Sequence, residues 1–238
     1  LWPADLHLIG KDMLRFHTIY WPIFLMALGL PLPKQIFGHP WLLSGEDKMS
    51  KSKGNVIYSD DLVRLFGVDA ARYYVLHEMP FDDDGVISWA LFTEKYNSDL
   101  ANVLGNLVSR TIAMIGKYFG GTVTLRSGAK KEETDEEFKN TVCAAVKTVK
   151  EKADELRVAD ALSAIMAVFR RANKYIDETM PWALAKDEGK KARLNDVLYN
   201  LSEAIQTGAS LLDSFMPETS AKILSAFGGE SRTLEECA

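Results

Sequence analysis

The chain has 238 residues, of which 47% are hydrophobic and 26% charged, and it carries a formal net charge of −5. This composition excludes intrinsic disorder, a collagen-like repeat and a small disulfide-stapled fold. The charge is spread evenly, −3 over residues 1–88 and −2 over 89–238, so no broad basic surface for a polyanion is implied.

Residues 4–9, Ala-Asp-Leu-His-Leu-Ile, read as a short buried strand that stops at Gly10. Met13, Phe16, His17, Tyr20, Trp21 and Phe24 recur at helical steps, so a helix is expected over 12–28, with Pro22 kinking or redirecting it. Gln35 to Leu43 reads as a second strand. Strand, helix and strand in this length make a βαβ unit of a parallel sheet, too small to be complete. The polar run 44–55 is expected as a loop. Two short helices follow at 59–66 and 69–78, divided by Gly67, and 82–85 is a turn.

From Ser88 onward the pattern is helical, apart from a possible strand at 122–125. Apolar spacing from Leu91 to Ile115 marks the first helix, and 116–131 is expected as a connection. A second helix opens at Thr134 with Glu137 as its capping-box partner and runs to about Leu156. Others span about 158–177, 190–214 and 218–227. The expected architecture is an incomplete α/β sheet domain followed by an all-α bundle, mainly α overall. Cys143 and Cys237 are too few to staple it, and Cys237 is expected at a mobile end, so a reducing setting, the cytoplasm, is expected. The apolar run 21–33 falls short of the ~20 residues of a membrane span and holds three prolines, and no signal peptide is seen. Because the first residue is Leu1 rather than Met, natural residues are expected upstream.

Four groups of residues can carry chemistry. Lys48-Met49-Ser50-Lys51-Ser52 places two ammonium groups three residues apart on a loop. That suits a polyphosphate losing pyrophosphate, where charge grows on the leaving group, although a solvated basic turn has the same residue types. Met13, His17 and Trp21 are four residues apart on one helical face, which fits either a thioether-binding wall or core packing. Gly10-Lys11-Asp12 lies where a strand meets a helix, the usual ligand position of an open α/β sheet, and His39 ends the next strand. Asp12 there can accept ribose hydroxyls or cap the helix. Asn102, Asn106 and Arg110 form a polar stripe on an otherwise apolar helix, and Trp182 follows Pro181 at a helix start. Amides, a guanidinium and an indole suit unstacked bases, although a solvated face with a core tryptophan has the same composition.

Lys48-Met49-Ser50-Lys51-Ser52 matches letter for letter the KMSKS signature of class I aminoacyl-tRNA synthetases. Asp5 to Asp12, Arg15-Phe16-His17, Tyr20-Trp21-Pro22, Gly38-His39 and Met180-Pro181-Trp182 resemble the methionyl-tRNA synthetase family, in that family's order along the chain. The resemblance implies ATP-dependent attachment of methionine to its tRNA through methionyl-adenylate. Lys48 and Lys51 would act catalytically on the phosphates, and Gly10, Asp12 and His39 would complete the ATP site. Met13, His17 and Trp21 would line the methionine pocket, and Asn102, Asn106, Arg110 and Trp182 would read the CAU anticodon. Magnesium would accompany ATP, with no metal site in this chain and no membrane partner. By the same resemblance, residues 1–55 are the C-terminal part of a Rossmann-like catalytic domain, 56–88 contact the tRNA stem, and 89–238 form the anticodon-binding bundle. The family's HIGH signature, its metal-binding insertion and the other wall of the amino-acid pocket do not occur. The chain is therefore expected to be a fragment that needs an N-terminal catalytic half and is inactive alone. A tRNA-binding module without catalysis and a class I synthetase for another amino acid are the alternatives.

Overall fold

The computed structural model describes residues 2–45, 47–49, 54, 56–79, 83–126 and 131–237. It forms two compact units, Leu1–Tyr58 with Glu78–Ser88, and Ser59–His77 with Trp89–Ala238. Residues 56–58 and 78–88 fall in the first unit and 59–77 in the second.

In the first unit, strand β1 (Leu6–Gly10) runs parallel to β2 (Gln35–His39), from Leu6 opposite Gln35 to Gly10 opposite His39. The crossover begins with a 3-10 turn at Lys11–Met13, passes through a π-helical turn at Phe16–Tyr20 and ends in helix α1 (Trp21–Ala27). This is the expected βαβ unit. Pro22 occupies the first turn of α1, where a missing N–H costs little, and the irregularity falls just upstream, in the π-turn, rather than as a kink at the proline itself. Gly38 lets the crossover pack down, since a Cβ there would stand 2.7 Å from the Leu14 side chain.

The second strand expected from Gln35 to Leu43 is broken after His39. Its remainder is a separate strand, β3 (Leu42–Ser44), which pairs antiparallel with β4 (Asp47–Lys48) and parallel with β5 (Gly85–Val86). The polar run expected as a loop therefore begins as a hairpin. Of the turn expected at 82–85, residue 82 lies outside the described residues, and Gly85 opens a strand, its N–H bonding to the Trp41 carbonyl at 3.0 Å.

The second unit is helical. Helices α2 (Ser59–Phe66) and α3 (Val68–Glu78) are divided by Gly67 at φ +85°, a conformation that favours glycine. Helix α4 (Trp89–Lys95), a π-helical stretch (Tyr96–Gly105) and α5 (Asn106–Phe119) follow one another without a break. The helix persists past Gly116, where a connection was expected, and stops at Gly120 in the left-handed region. No strand forms at 122–125. The Thr124 backbone instead bonds in both directions to the Asn195 side chain, at 3.3 and 2.8 Å.

Helix α6 (Glu133–Asp154) opens two residues earlier than expected, because its capping box is Glu132 with Asp135 rather than Thr134 with Glu137. Then come α7 (Val158–Thr179), α8 (Pro181–Leu184), α9 (Lys191–Leu212), α10 (Pro217–Ala226) and α11 (Leu234–Cys237). Their apolar faces meet in one core, in which Leu162, Ile165, Phe169, Leu198, Leu201 and Ile205 are fully enclosed. Cys237, expected at a mobile end, is buried in that core. A polar tie crosses it: the Tyr175 hydroxyl donates to Asp135, Arg193 donates to the same carboxylate at 2.6 and 2.9 Å, and Asn200 donates to the Tyr175 oxygen at 3.1 Å. Among the described residues, no helix is long and apolar enough to cross a membrane.

Candidate functional site

The parallel pairing of β1 and β2 brings Gly10 opposite His39 at the carboxyl ends of both strands. Open α/β sheets bind their ligands at such ends. Gly10 leaves room there for a neighbour: a Cβ on it would lie 2.6 Å from an Asp12 carboxylate oxygen and 3.9 Å from the His39 ring. Gly10, Asp12 and His39 therefore converge on one rim. Asp12 lies inside the first turn, and the N-cap position belongs to Gly10 with no side-chain capping bond, so Asp12 does not serve as the cap. Its exposed carboxylate and the exposed His39 ring border the rim.

Lys11, between them, is held by a residue the sequence reading passed over. Its ammonium donates to the Asp84 carboxylate and lies 4.4 Å from the centre of the Trp41 ring. The Trp41 N–H donates to the same Asp84 oxygen at 2.9 Å. The ammonium first, and then the amide, hold the Asp84 carboxyl below the ordinary carboxylate range. The run Asp82-Asp83-Asp84 reads as a turn in sequence, so no local signal singles out Asp84. Of the lysine signature, the Lys48 backbone is described, opposite Leu43 in β4. The Lys48 side chain and the whole of Lys51 lie outside the described residues.

Met13, His17 and Trp21 follow β1 on the crossover. The His17 Nδ1 lies 3.1 Å from the Met13 carbonyl, which can only accept, so the neutral ring carries its proton on Nδ1. Met13 is 43% exposed. Two residues that the sequence did not single out complete an aromatic cluster. The His7 ring lies 6.2 Å from His17 and 5.8 Å from Trp2, and Trp2 meets Trp21 edge-on at 5.9 Å. Among the described residues, neither His7 Nε2 nor Trp21 Nε1, both buried, has a hydrogen-bond partner.

In the second unit, Asn102, Asn106 and Arg110 are all exposed, and the Asn106 amide donates to the Asn102 side chain at 3.4 Å. Asn102 belongs to the π-helical stretch, and Asn106 opens α5. A four-residue step undershoots a π-turn and overshoots an α-turn, so one of each keeps the three side chains in line. Trp182 is 42% exposed on α8, just past the left-handed Met180 that ends α7. Helix α7 runs parallel to the Asn-bearing rod. Arg170 bonds to Asp99 and Asn173 to the Val103 carbonyl, pairs separated by 71 and 70 residues. Continued at equal rise per residue, that offset brings the end of α7 level with residues 109–110. Trp182 follows two residues after Met180, while α5 continues past Arg110 to Phe119.

Two cavities, of about 550 and 380 Å³, lie elsewhere in the helical unit, and none of the candidate catalytic or binding residues lines either. The larger is bordered by both cysteines, Cys143 and Cys237. Among the described residues, no cluster of three or more His, Cys, Asp or Glu could hold a metal ion.

Two family models together account for most of the chain. Residues 2–112 match class I tRNA synthetases of the methionine type, and 125–237 match the anticodon-binding domain of methionyl-tRNA ligase. The chain belongs to the methionyl-tRNA synthetase family. A methionine–tRNA ligase of Clostridium acetobutylicum is 55% identical over 98% of this chain, and that of Bacillus subtilis is 47% identical, also over 98%. The solved Mycobacterium tuberculosis methionyl-tRNA synthetase in complex with methionyl-adenylate superposes on 96% of the chain with a TM-score of 0.91 at 39% identity. The apo form of that enzyme gives 0.87 at 36%. The chain spans 36% of the Clostridium methionyl-tRNA synthetase, 35% of the Bacillus one and 45% of the solved Mycobacterium chain.

Proposed function

We propose that this chain supplies the lysine loop, part of the methionine pocket and the anticodon reader of an enzyme that attaches methionine to its tRNA. The observation that carries the reading is the exposed Asn102–Asn106–Arg110 stripe, with the exposed Trp182 in the same helical unit. Amides and a guanidinium match the edges of unstacked bases, and the indole offers a stacking face. Exposed as they are, these polar side chains contribute little to core packing.

The reaction joins two steps. The methionine carboxylate attacks the α-phosphorus of ATP, forming methionyl-adenylate and releasing pyrophosphate. A terminal ribose hydroxyl of the tRNA then attacks the methionyl carbonyl and displaces AMP. Lys48 and Lys51 meet the charge that grows on the leaving phosphates. Asp12 accepts from the ATP ribose, and Gly10 and His39 border the adenosine. Met13, His17 and Trp21 wall the methionine side chain, with sulfur against aromatic edges. Magnesium enters with the ATP phosphates rather than on a site of this chain, and the setting is the cytoplasm. Residues 56–88 contact the tRNA stem. HIGH is absent from the 238 residues, so adenylate formation needs the family's remaining catalytic half.

The deciding experiment titrates the purified chain with an anticodon stem-loop bearing CAU and with the same stem carrying a changed loop, at one fixed salt concentration. Tighter binding of the CAU loop is expected, and equal affinity for both would overturn the assignment of the stripe. In parallel, methionine-dependent ATP–pyrophosphate exchange by the chain alone is expected to be absent.

A further inference from the structure

Among the described residues, the two small sheets of the first unit share no strand: β1 pairs with β2, and β3 stands between β4 and β5. The Asp84 carboxylate reaches from one to the other. It precedes Gly85 at the foot of β5, and its Oδ1 accepts both the Lys11 ammonium, from the turn after β1, and the Trp41 N–H. The Trp41 ring lies 4.4 Å from that same ammonium, and its carbonyl accepts the Gly85 N–H at 3.0 Å. One carboxylate, one ammonium and one indole therefore join the carboxyl end of β1, the entry to β3 and the start of β5. The Lys11 and Asp84 side chains are 34% and 26% exposed, so water screens the pair only in part.

What this junction holds follows from the ladder. Strand β3 carries β5 on one edge and β4 on the other, with Lys48 opposite Leu43. The root of the hairpin that begins the lysine signature is thereby tied, through β3, β5 and Asp84, to Lys11, which lies between Gly10 and Asp12. The Lys11 charge is neutralised by Asp84 and its ammonium is seated on an indole. An ammonium held in this way is committed to the scaffold, not to a phosphate.

We propose that Lys11 and Asp84 act together as a positioning latch that fixes the root of the Lys48 hairpin against the nucleotide rim. The proposal rests on the reading of Gly10, Asp12 and His39 as that rim. A latch of this kind acts on the geometry between phosphate-directed lysines and the bound ribose. It therefore governs the rate of adenylate formation and leaves methionine affinity alone.

The test is a double-mutant cycle in a full-length methionyl-tRNA synthetase containing these 238 residues, read by methionine-dependent ATP–pyrophosphate exchange. Lys11→Met keeps an unbranched apolar stem on Trp41, and Asp84→Asn keeps the shape of the carboxylate. Each single variant is expected to lower kcat about ten-fold, and the double variant no further, with the methionine KM unchanged. Asp84→Glu is expected to recover most of the rate, because it retains the charge. In the 238-residue chain, Asp84→Asn is expected to speed hydrogen exchange at the Gly85 amide while leaving the β1–β2 amides protected. A raised ATP KM in Lys11→Met with normal constants in Asp84→Asn would make Lys11 a phosphate ligand and overturn the latch. Additive losses, or no loss in either variant, would overturn it equally. Asp12→Ala, assayed alongside, separates the two levels. An unchanged ATP KM there removes the rim reading, whereas a raised one together with normal latch variants removes only the latch.

Discussion

At the scale of single residues, the second unit presents Trp182 with nearly half its surface open, on a four-residue helix directly after a left-handed Met180. A tryptophan in that position gives up apolar burial unless something stacks on it. Trp182→Ala is expected to weaken binding of a CAU stem-loop by about 1–3 kcal/mol, the range for losing one base stack. Because the side chain lies outside the core, the melting temperature of the variant is expected to match that of the parent. An affinity unchanged in the variant removes Trp182 from the reader. Asn106→Ala is a finer probe. It deletes an amide that donates to the Asn102 side chain, so it is expected to relax discrimination between CAU and a changed loop more than it weakens binding overall. Competition of the two stem-loops for the variant measures that ratio directly.

At the scale of elements, the start of α6 is fastened to α7 and α9 by the Asp135 carboxylate, which takes bonds from Tyr175 and Arg193 and closes its own helix cap on Glu132. Burial raises the Asp135 carboxyl, but the Arg193 guanidinium and the Tyr175 hydroxyl outweigh it and hold the group below the ordinary value. A carboxyl depressed in the folded state adds stability above its unfolded pKa of about 3.9 and loses it as pH falls through the lower folded value. The unfolding free energy is therefore expected to be level near pH 6 and to decline below about pH 4, more gently in Asp135→Asn. At pH 7 that variant is expected to cost about 3 kcal/mol in urea unfolding, the low end for breaking a buried pair, because Arg193 keeps Glu132 at 3.1 Å. The sequence makes the long helices legible because their apolar faces repeat many times, and Gly67 divides α2 from α3 where expected. Strands β4 and β5 are two residues each, too short for any alternation, and exist through pairing with β3. The π-turns leave no compositional mark, yet they set the line of the Asn stripe. Asp84 and Asp135 sit in acidic runs, where sequence cannot tell which carboxylate a distant cation will take. The rim residues Gly10, Asp12 and His39 could be named because a strand end is visible in sequence. Trp2 and His7 were missed because their contacts with Trp21 and His17 are made across the unit.

At the scale of the whole molecule, charge and partner are in tension. The chain is acidic, and residues 89–238 hold 20 Lys and Arg against 22 Asp and Glu, whereas the proposed partner is a polyanion. Many of those cations are already paired within the helical unit, among them Arg171 with Glu178, Lys150 with Asp154 and Arg232 with Glu203. Counterion release from a broad basic face is therefore not expected to be the main source of affinity, and recognition is expected to come from base edges and stacking. This has a measurable consequence. For single-stranded nucleic acid, the logarithm of the binding constant falls with the logarithm of salt by about 0.7 per phosphate neutralised. With Arg110 as the one cation of the stripe, the slope for the CAU stem-loop is expected to be about −2 or shallower between roughly 50 and 200 mM salt. The preference for CAU over a changed loop is expected to stay nearly constant across that range, because base contacts release few ions. A slope near −5 would require about seven phosphate contacts and hence a basic surface away from the stripe. That outcome would move the reader from Asn102, Asn106, Arg110 and Trp182 to some other face of the bundle.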